Sequence, residues 1–193
     1  MTGPLAGHVG LVTGASRGIG RATALALSRL GAHCVLTARS QGGLEETDDL
    51  IRGAGGLPAT LLPLDLVDAD AIDAIGPTIA QRFGRLDLLV HAAGVLGTLS
   101  PTVHVTARDW EQAIAVNLTA TWRLIRTTSP LLAAAPAGRA FFLTDPVAVT
   151  PRAFWSLLAA SKAGMGALVQ CWEEEMRQHP GLRIALVLSL IHI

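Results

Sequence analysis

HVGLVTGASRGIGRATALALSRLG, residues 8–31, joins an apolar run of strand length to a helix-period segment through the glycine-rich turn TGASRGIG at 13–20. In that turn Gly14 permits a tight bend, Gly18 lets the backbone approach a pyrophosphate, and Gly20 lets the helix pack closely on the strand. The start of the helix favours an anionic ligand, because its first N–H groups have no partner within the helix. Glycines also make ordinary turns, but a strand directly before the loop and a helix directly behind it are the context a dinucleotide-binding loop requires. Gly14, Ser16, Arg17, Gly18, Ile19 and Gly20 are accordingly its candidate cofactor contacts.

The same alternation continues outward from this unit. HCVLTAR (33–39) reads as a strand, GLEETDDLIRGAG as a helix, LPATLLPLDL as a strand, DADAIDAIGPTIAQRFG as a helix and LDLLVHAAG as a strand. A long helix from about Thr106 to Leu131, the strand RAFFLTD (139–145), a helix from about Ala153 to His179 and the strand LRIALVL complete the series. Strands that are apolar on both faces and separated by helices imply a parallel sheet covered on both sides. The expectation is an α/β, Rossmann-like, doubly wound sheet in three layers with right-handed crossovers, one nucleotide-binding domain over residues 1–193.

Composition narrows the function classes. The chain has 193 residues, half of them hydrophobic, enough for one domain with a sizeable core. Fifteen basic residues balance fifteen acidic ones and no short run is rich in Lys and Arg, which argues against a nucleic-acid partner. The N-terminus lacks a basic, apolar leader pattern and no apolar run is long enough to span a bilayer, so the expected setting is cytoplasmic and away from membranes. Cys34 and Cys171 are far apart and read as buried free thiols. No His, Cys or carboxylate cluster has metal-ligand spacing, so no metal is expected.

The spacing Gly14-x-x-x-Gly18-x-Gly20 resembles the classical short-chain dehydrogenase/reductase family rather than the G-x-G-x-x-G of other dinucleotide folds. Further matches follow in order along essentially the whole chain. Asp65 in LDL resembles the family's adenine-contacting aspartate, and HAAG (91–94), with Ala93 and Gly94, stands where the family has Asn-Asn-Ala-Gly. Asn117 in VNL matches its helix asparagine and Lys162 in ASK its active-site lysine, which in the family also binds the nicotinamide ribose. The resemblance implies an oxidoreductase that moves a hydride between a nicotinamide and a carbonyl or alcohol, and a homodimer or homotetramer through the long helices. An acidic residue after the second strand marks NAD-preferring members; here the position is Ala38, followed by Arg39, with Arg17 in the glycine loop. Guanidinium groups suit a 2′-phosphate, so the expected cofactor is NADP(H) in preference to NAD(H).

Two departures fall on the residues that touch substrate. The family's catalytic element is Tyr-x-x-x-Lys, in which the ammonium lowers the phenol's pKa from one helical turn away. Four residues before Lys162 stands Leu158, and the chain contains no tyrosine. The family's serine lies thirteen positions before its tyrosine, where this chain has Asp145; the adjacent Thr144 is expected on the other side of the strand. Asp145 reads either as a structural partner of the buried Lys162 ammonium in a degenerate site or as a general acid or base. His91 and His104 read as structural, and Trp110, Trp122, Trp155 and Trp172 as packing residues of the two long helices or of a subunit contact. After LRIALVL the family continues with Pro-Gly, a substrate-covering segment and another strand, whereas this chain reads Ser189-Leu190-Ile191-His192-Ile193, as if the C-terminal part of the fold were missing. The function expected is an NADP(H)-dependent oxidoreductase of unidentified small-molecule substrate with a degenerate site; the alternatives are a non-catalytic NADP-binding scaffold or an incomplete fragment.

Overall fold

In the computed structural model, which describes residues 3–189, six parallel strands form one sheet in the order β3-β2-β1-β4-β5-β6. The elements are β1 (Val9–Thr13), α1 (Gly18–Arg29), β2 (His33–Ala38), α2 (Gln41–Gly53), β3 (Thr60–Pro63), α3 (Ala69–Asp73), α4 (Ile75–Phe83), β4 (Leu88–His91), α5 (Ala107–Ile114), α6 (Ala120–Ala134), β5 (Arg139–Thr144), α7 (Ser156–Glu175) and β6 (Arg183–Leu188). This is the Rossmann-like α/β architecture. The chain winds outward from β1 through β2 to β3, then returns to the other side of β1 with β4, which opens a crevice between β1 and β4 at the carboxyl edge. Register brings Thr13, Thr37 and His91 level with one another at that edge.

Alternation along the strands divides the core between the two faces. Leu11, Val35, Leu89 and Phe142 pack with Ile72, Ile79, Leu124, Met165 and Trp172, while Val12, Leu36 and Val90 pack with Ala24, Leu44 and Ile51 of α1 and α2. β1 is therefore buried throughout. Coverage is one-sided at β5, where Ala140 and Phe142 are buried and the intervening Phe141 and Leu143 are only half-buried. The sheet is thus covered on both faces around β1, but among the described residues no helix lies fully across the second face of β5 and β6.

Side-chain hydrogen bonds set two of the helix boundaries, one of them unforeseen from periodicity. The single helix expected over the DADAIDAIGPTIAQRFG stretch breaks into α3 and α4 around Ala74. Thr127 of α6 fills the break, its hydroxyl donating to the Asp73 carbonyl at 2.8 Å and accepting from the Gly76 N–H at 3.1 Å. The long helix expected over 106–131 starts at the Thr106 cap, which accepts from the Asp109 N–H at 3.1 Å, and runs to Ala134. It contains a π-helical turn at Ala115–Thr119 centred on Asn117, a distortion frequent at functional sites. Residues 190–193, the tail read as a departure from the family, lie outside the described residues.

Candidate functional site

A cleft of about 950 Å³ opens at the carboxyl edge of β1, β2 and β4, and every proposed nucleotide contact except Lys162 lines it: Gly14, Ser16, Arg17, Gly18, Ile19, Gly20, Arg39, Asp65, Ala93 and Gly94. Two glycines are required by close approach. Gly14 has φ +67°, and a Cβ there would lie 2.9 Å from the Ala93 backbone; a Cβ on Gly20 would lie 2.3 Å from the Gly14 carbonyl oxygen. The loop and the first turn of α1 are therefore nested against each other and against the β4 loop. Arg17 at the N-cap gives α1 no side-chain cap, in contrast to α2, where Ser40 accepts from the Gly43 N–H at 3.1 Å. The opening N–H groups of α1 are consequently free for an anion. Arg17 and Arg39 are exposed and, among the described residues, neither forms an ion pair. On the floor of the same cleft Thr37 Oγ1 is buried without a hydrogen-bond partner. A free helix start, two unpaired guanidinium groups and an orphaned hydroxyl fit a phosphate-bearing ligand.

Arg21, which was not anticipated from the sequence, fastens this loop. Its guanidinium donates to the Ser16 carbonyl, its Nε donates to Thr47 Oγ1 at 3.1 Å, and it pairs with Glu46 at 2.9 Å. Of these partners only Ser16 is close in sequence, which hides the latch from a linear reading.

Beside the cleft lies a smaller cavity of about 140 Å³ whose lining includes Leu143, Thr144, Asp145, Leu158 and Lys162. β5 ends at Thr144, and Asp145 already belongs to the turn that follows. The Asp145 carboxylate caps that turn, accepting from the Val147 N–H at 2.9 Å. Lys162, the one lysine of the chain, instead donates from Nζ to the Leu143 carbonyl at 2.8 Å. The two charges share the cavity without a direct ion pair. Burial pulls the Lys162 pKa down to about 8, and the negative charge of Asp145 offsets part of that effect. Leu158 is buried and packs with Val147 and Ala159, so the position one helical turn before Lys162 is an apolar wall of the cavity.

Asn117 organises the segment between these cavities. Its Oδ1 accepts from the Val95 N–H at 2.8 Å, and its Nδ2 donates to the Val95 carbonyl and to Ser161 Oγ, each at 2.9 Å. Ser161 in turn donates to the Leu157 carbonyl at 2.7 Å, tying the π-helical turn to α7. A methyl group built on Gly94 would sit 3.2 Å from Asn117 Oδ1 and 3.3 Å from Lys162 Nζ, a tight fit where the three meet.

A profile of short chain dehydrogenases matches residues 8–189, nearly the whole chain. The chain belongs to the short-chain dehydrogenase/reductase family. It is similar to the "uncharacterized oxidoreductase YciK" of Escherichia coli K12, 33% identical over 87% of this chain and 68% of that protein. It is likewise similar to the 3-oxoacyl-[acyl-carrier-protein] reductase FabG of Thermotoga maritima, 31% identical over 89% of this chain and 69% of that one. Among solved structures, a metagenomic short-chain oxidoreductase in complex with NADP superposes with TM-score 0.90 and 39% identity, covering 96% of this chain and 83% of the other. The chain thus spans about two thirds of the length of these two named relatives.

Within this short-chain dehydrogenase frame the remaining residues fall mainly into structural positions. Trp172 is buried and donates to Ser129 Oγ at 3.2 Å, Trp155 precedes α7, and Trp110 and Trp122 are exposed on α5 and α6. Cys34 is buried, which pushes its thiol up to about 12, whereas Cys171 is exposed, correcting the expectation that both are buried. The exposed side of α7 carries Cys171, a position the apolar neighbourhood in sequence does not reveal. Among the described residues no group of three His, Cys, Asp or Glu side chains converges to hold a metal ion, and no helix is long and apolar enough to cross a membrane.

Proposed function

We propose that this short-chain dehydrogenase/reductase is an NADP(H)-dependent oxidoreductase of a carbonyl or alcohol substrate with a degenerate proton-transfer site. The observation that carries the cofactor assignment is the pair Arg17 and Arg39, unpaired on the wall of the 950 Å³ cleft beside Ala38. A 2′-phosphate forms charge-assisted hydrogen bonds with such groups, and no carboxylate stands at position 38 to take a free ribose hydroxyl instead. That a structural neighbour was solved with NADP supports the same choice. When bound, the nicotinamide supplies the hydride. The chain's own residues bind and orient: the start of α1 holds phosphate, Gly94 admits the dinucleotide next to Asn117, and Lys162 offers its ammonium at the junction of the two cavities.

Arg39→Ala is expected to weaken NADPH binding about tenfold and to leave NADH binding unchanged, as one lost charge-assisted contact implies. Calorimetric titration of both nucleotides checks this; equal affinities that Arg39→Ala does not alter exclude the 2′-phosphate assignment.

A non-catalytic NADP-binding scaffold is the second reading, favoured by Leu158 at the phenol position and by the engagement of Asp145 in capping its own turn. Multiple-turnover assays with NADPH and a panel of aldehydes and ketones separate the two. We further propose self-association through the long helices, supported by Trp110 and Trp122, which are 45% and 42% exposed on α5 and α6. Light scattering is expected to report a dimer or tetramer that Trp122→Glu dissociates; a monomer at all concentrations refutes it.

A further inference from the structure

The segment 92–95 walls both the nucleotide cleft and the small cavity, yet it has no regular secondary structure, so side-chain hydrogen bonds must set its shape. They converge on His91, a fully buried imidazole at the end of β4. Its Nδ1 lies 2.8 Å from Thr13 Oγ1, and its Nε2 lies 3.1 Å from Thr121 Oγ1. Thr13 Oγ1 also accepts from the Ala93 N–H at 3.2 Å, while Thr121 Oγ1 donates to the Asn117 carbonyl at 2.9 Å.

One assignment of protons along this path gives every donor an acceptor. Thr121 spends its single proton on the Asn117 carbonyl, so toward His91 it accepts and Nε2 carries the hydrogen. A neutral imidazole protonated at Nε2 has an acceptor at Nδ1, which takes the Thr13 hydroxyl proton and leaves Thr13 to accept from Ala93. Every donor then points the right way from Ala93 through His91 to Asn117. Protonation at both nitrogens would reverse the Thr13 contact. Burial, reinforced by the Lys162 ammonium, holds the imidazole down to about 3, and the Phe142 ring packs edge-to-face with it at 6.0 Å between ring centroids.

We propose that His91 is the positioning residue of the nucleotide cleft, a neutral Nε2–H tautomer that fixes the 92–95 wall by tying the Thr13–Ala93 pair to the Asn117 turn. A carboxamide cannot replace it fully. Asparagine places an oxygen at the same reach as Nδ1 and serves Thr13 alone; glutamine reaches the Nε2 position and serves Thr121 alone. The functional half of this assignment rests on the cofactor reading above, so its test includes measurements that need no nucleotide.

Nitrogen-15 NMR of histidine-labelled protein is expected to show His91 protonated at Nε2 only and unchanged between about pH 5 and 8, the range in which an ordinary histidine titrates. Amide exchange at Ala93 and Val95 is expected to rise about tenfold or more in His91→Phe while Val35 in β2 stays protected, with His91→Asn restoring Ala93 preferentially. In the same variants NADPH affinity should fall in the order Asn then Phe. A proton on Nδ1, titration within that range, or unaltered Ala93 and Val95 exchange in His91→Phe overturns the proposal. Should His91→Phe fail to fold, Thr121→Val tests the same path through the exchange of Val95. An unmodified protein that binds no NADPH refutes the cofactor reading, and the tautomer and exchange results then decide the role of His91 by themselves.

Discussion

Leu158→Tyr combined with Asp145→Ser is expected to raise NADPH-dependent carbonyl reduction by ~10²–10⁴-fold over the unmodified chain, the usual worth of a positioned general acid. Positions 158 and 162 lie one helical turn apart on α7, and both line the 140 Å³ cavity, so a phenol introduced at 158 meets the Lys162 ammonium. That ammonium is predominantly charged at neutral pH, and its charge lowers the phenol's pKa. Serine at 145 removes a carboxylate that would oppose this effect, yet it still offers an oxygen to the Val147 N–H that Asp145 now caps. Rates over an aldehyde and ketone panel, with NADPH affinity measured in parallel, give the answer. A double variant that binds NADPH normally and gains no rate would mean that the cavity is not the place of reaction. Asp145→Asn in the natural background is the control: loss of an existing activity without loss of NADPH binding would identify Asp145 as the proton-transfer residue.

Lys162→Met is expected to stabilise the protein near neutral pH, by up to about 3 kcal/mol before the loss of one hydrogen bond to the Leu143 carbonyl is subtracted. The sign follows from the lysine's pKa, which burial lowers from 10.5 in the unfolded chain to about 8 in the folded one. Below about 8 both states carry the charge, and the folded state bears its full burial cost. Between about 8 and 10.5 the folded protein releases the proton while the unfolded chain keeps it, so stability rises with pH across that window. The methionine variant lacks this step. Urea melts of both proteins from neutral to alkaline pH test it, because the difference between the two profiles isolates Lys162. Parallel profiles would show that the ammonium is not penalised by its site. A lysine kept at the expense of stability is the signature of a residue retained for a ligand, which accords with its place at the junction of the two cavities.

The order of elements was legible in the chain because it depends on local chemistry. In TGASRGIG the turn is local, since Gly14 adopts φ +67° and Gly20 sits against the Gly14 carbonyl. Apolar strands alternating with amphipathic helices leave few ways to bury both faces of a parallel sheet, so the architecture followed from periodicity, as did the cleft at the carboxyl edge of β1 and β4. The absence of a phenol at position 158 is likewise a plain fact of the sequence.

Contacts between distant segments are a different matter, because no local preference encodes them. The break between α3 and α4 exists because Thr127, fifty-four residues after Asp73, supplies the hydrogen bonds that the helix gives up there. Asp145 lies in the turn beyond the end of β5, where its carboxylate accepts from the Val147 N–H, a role that alternation along the strand does not foresee. Lys162 bonds to the Leu143 carbonyl, while the Asp145 carboxylate accepts from the Val147 N–H, a division of partners that only the packed strand end decides. Arg21 and His91 draw their roles from Glu46, Thr47, Thr13 and Thr121, partners that folding alone brings within 3.1 Å. A buried polar group is costly unless paired, and pairing is a property of the packed molecule, so these roles emerge only when the sheet has brought the strand ends together.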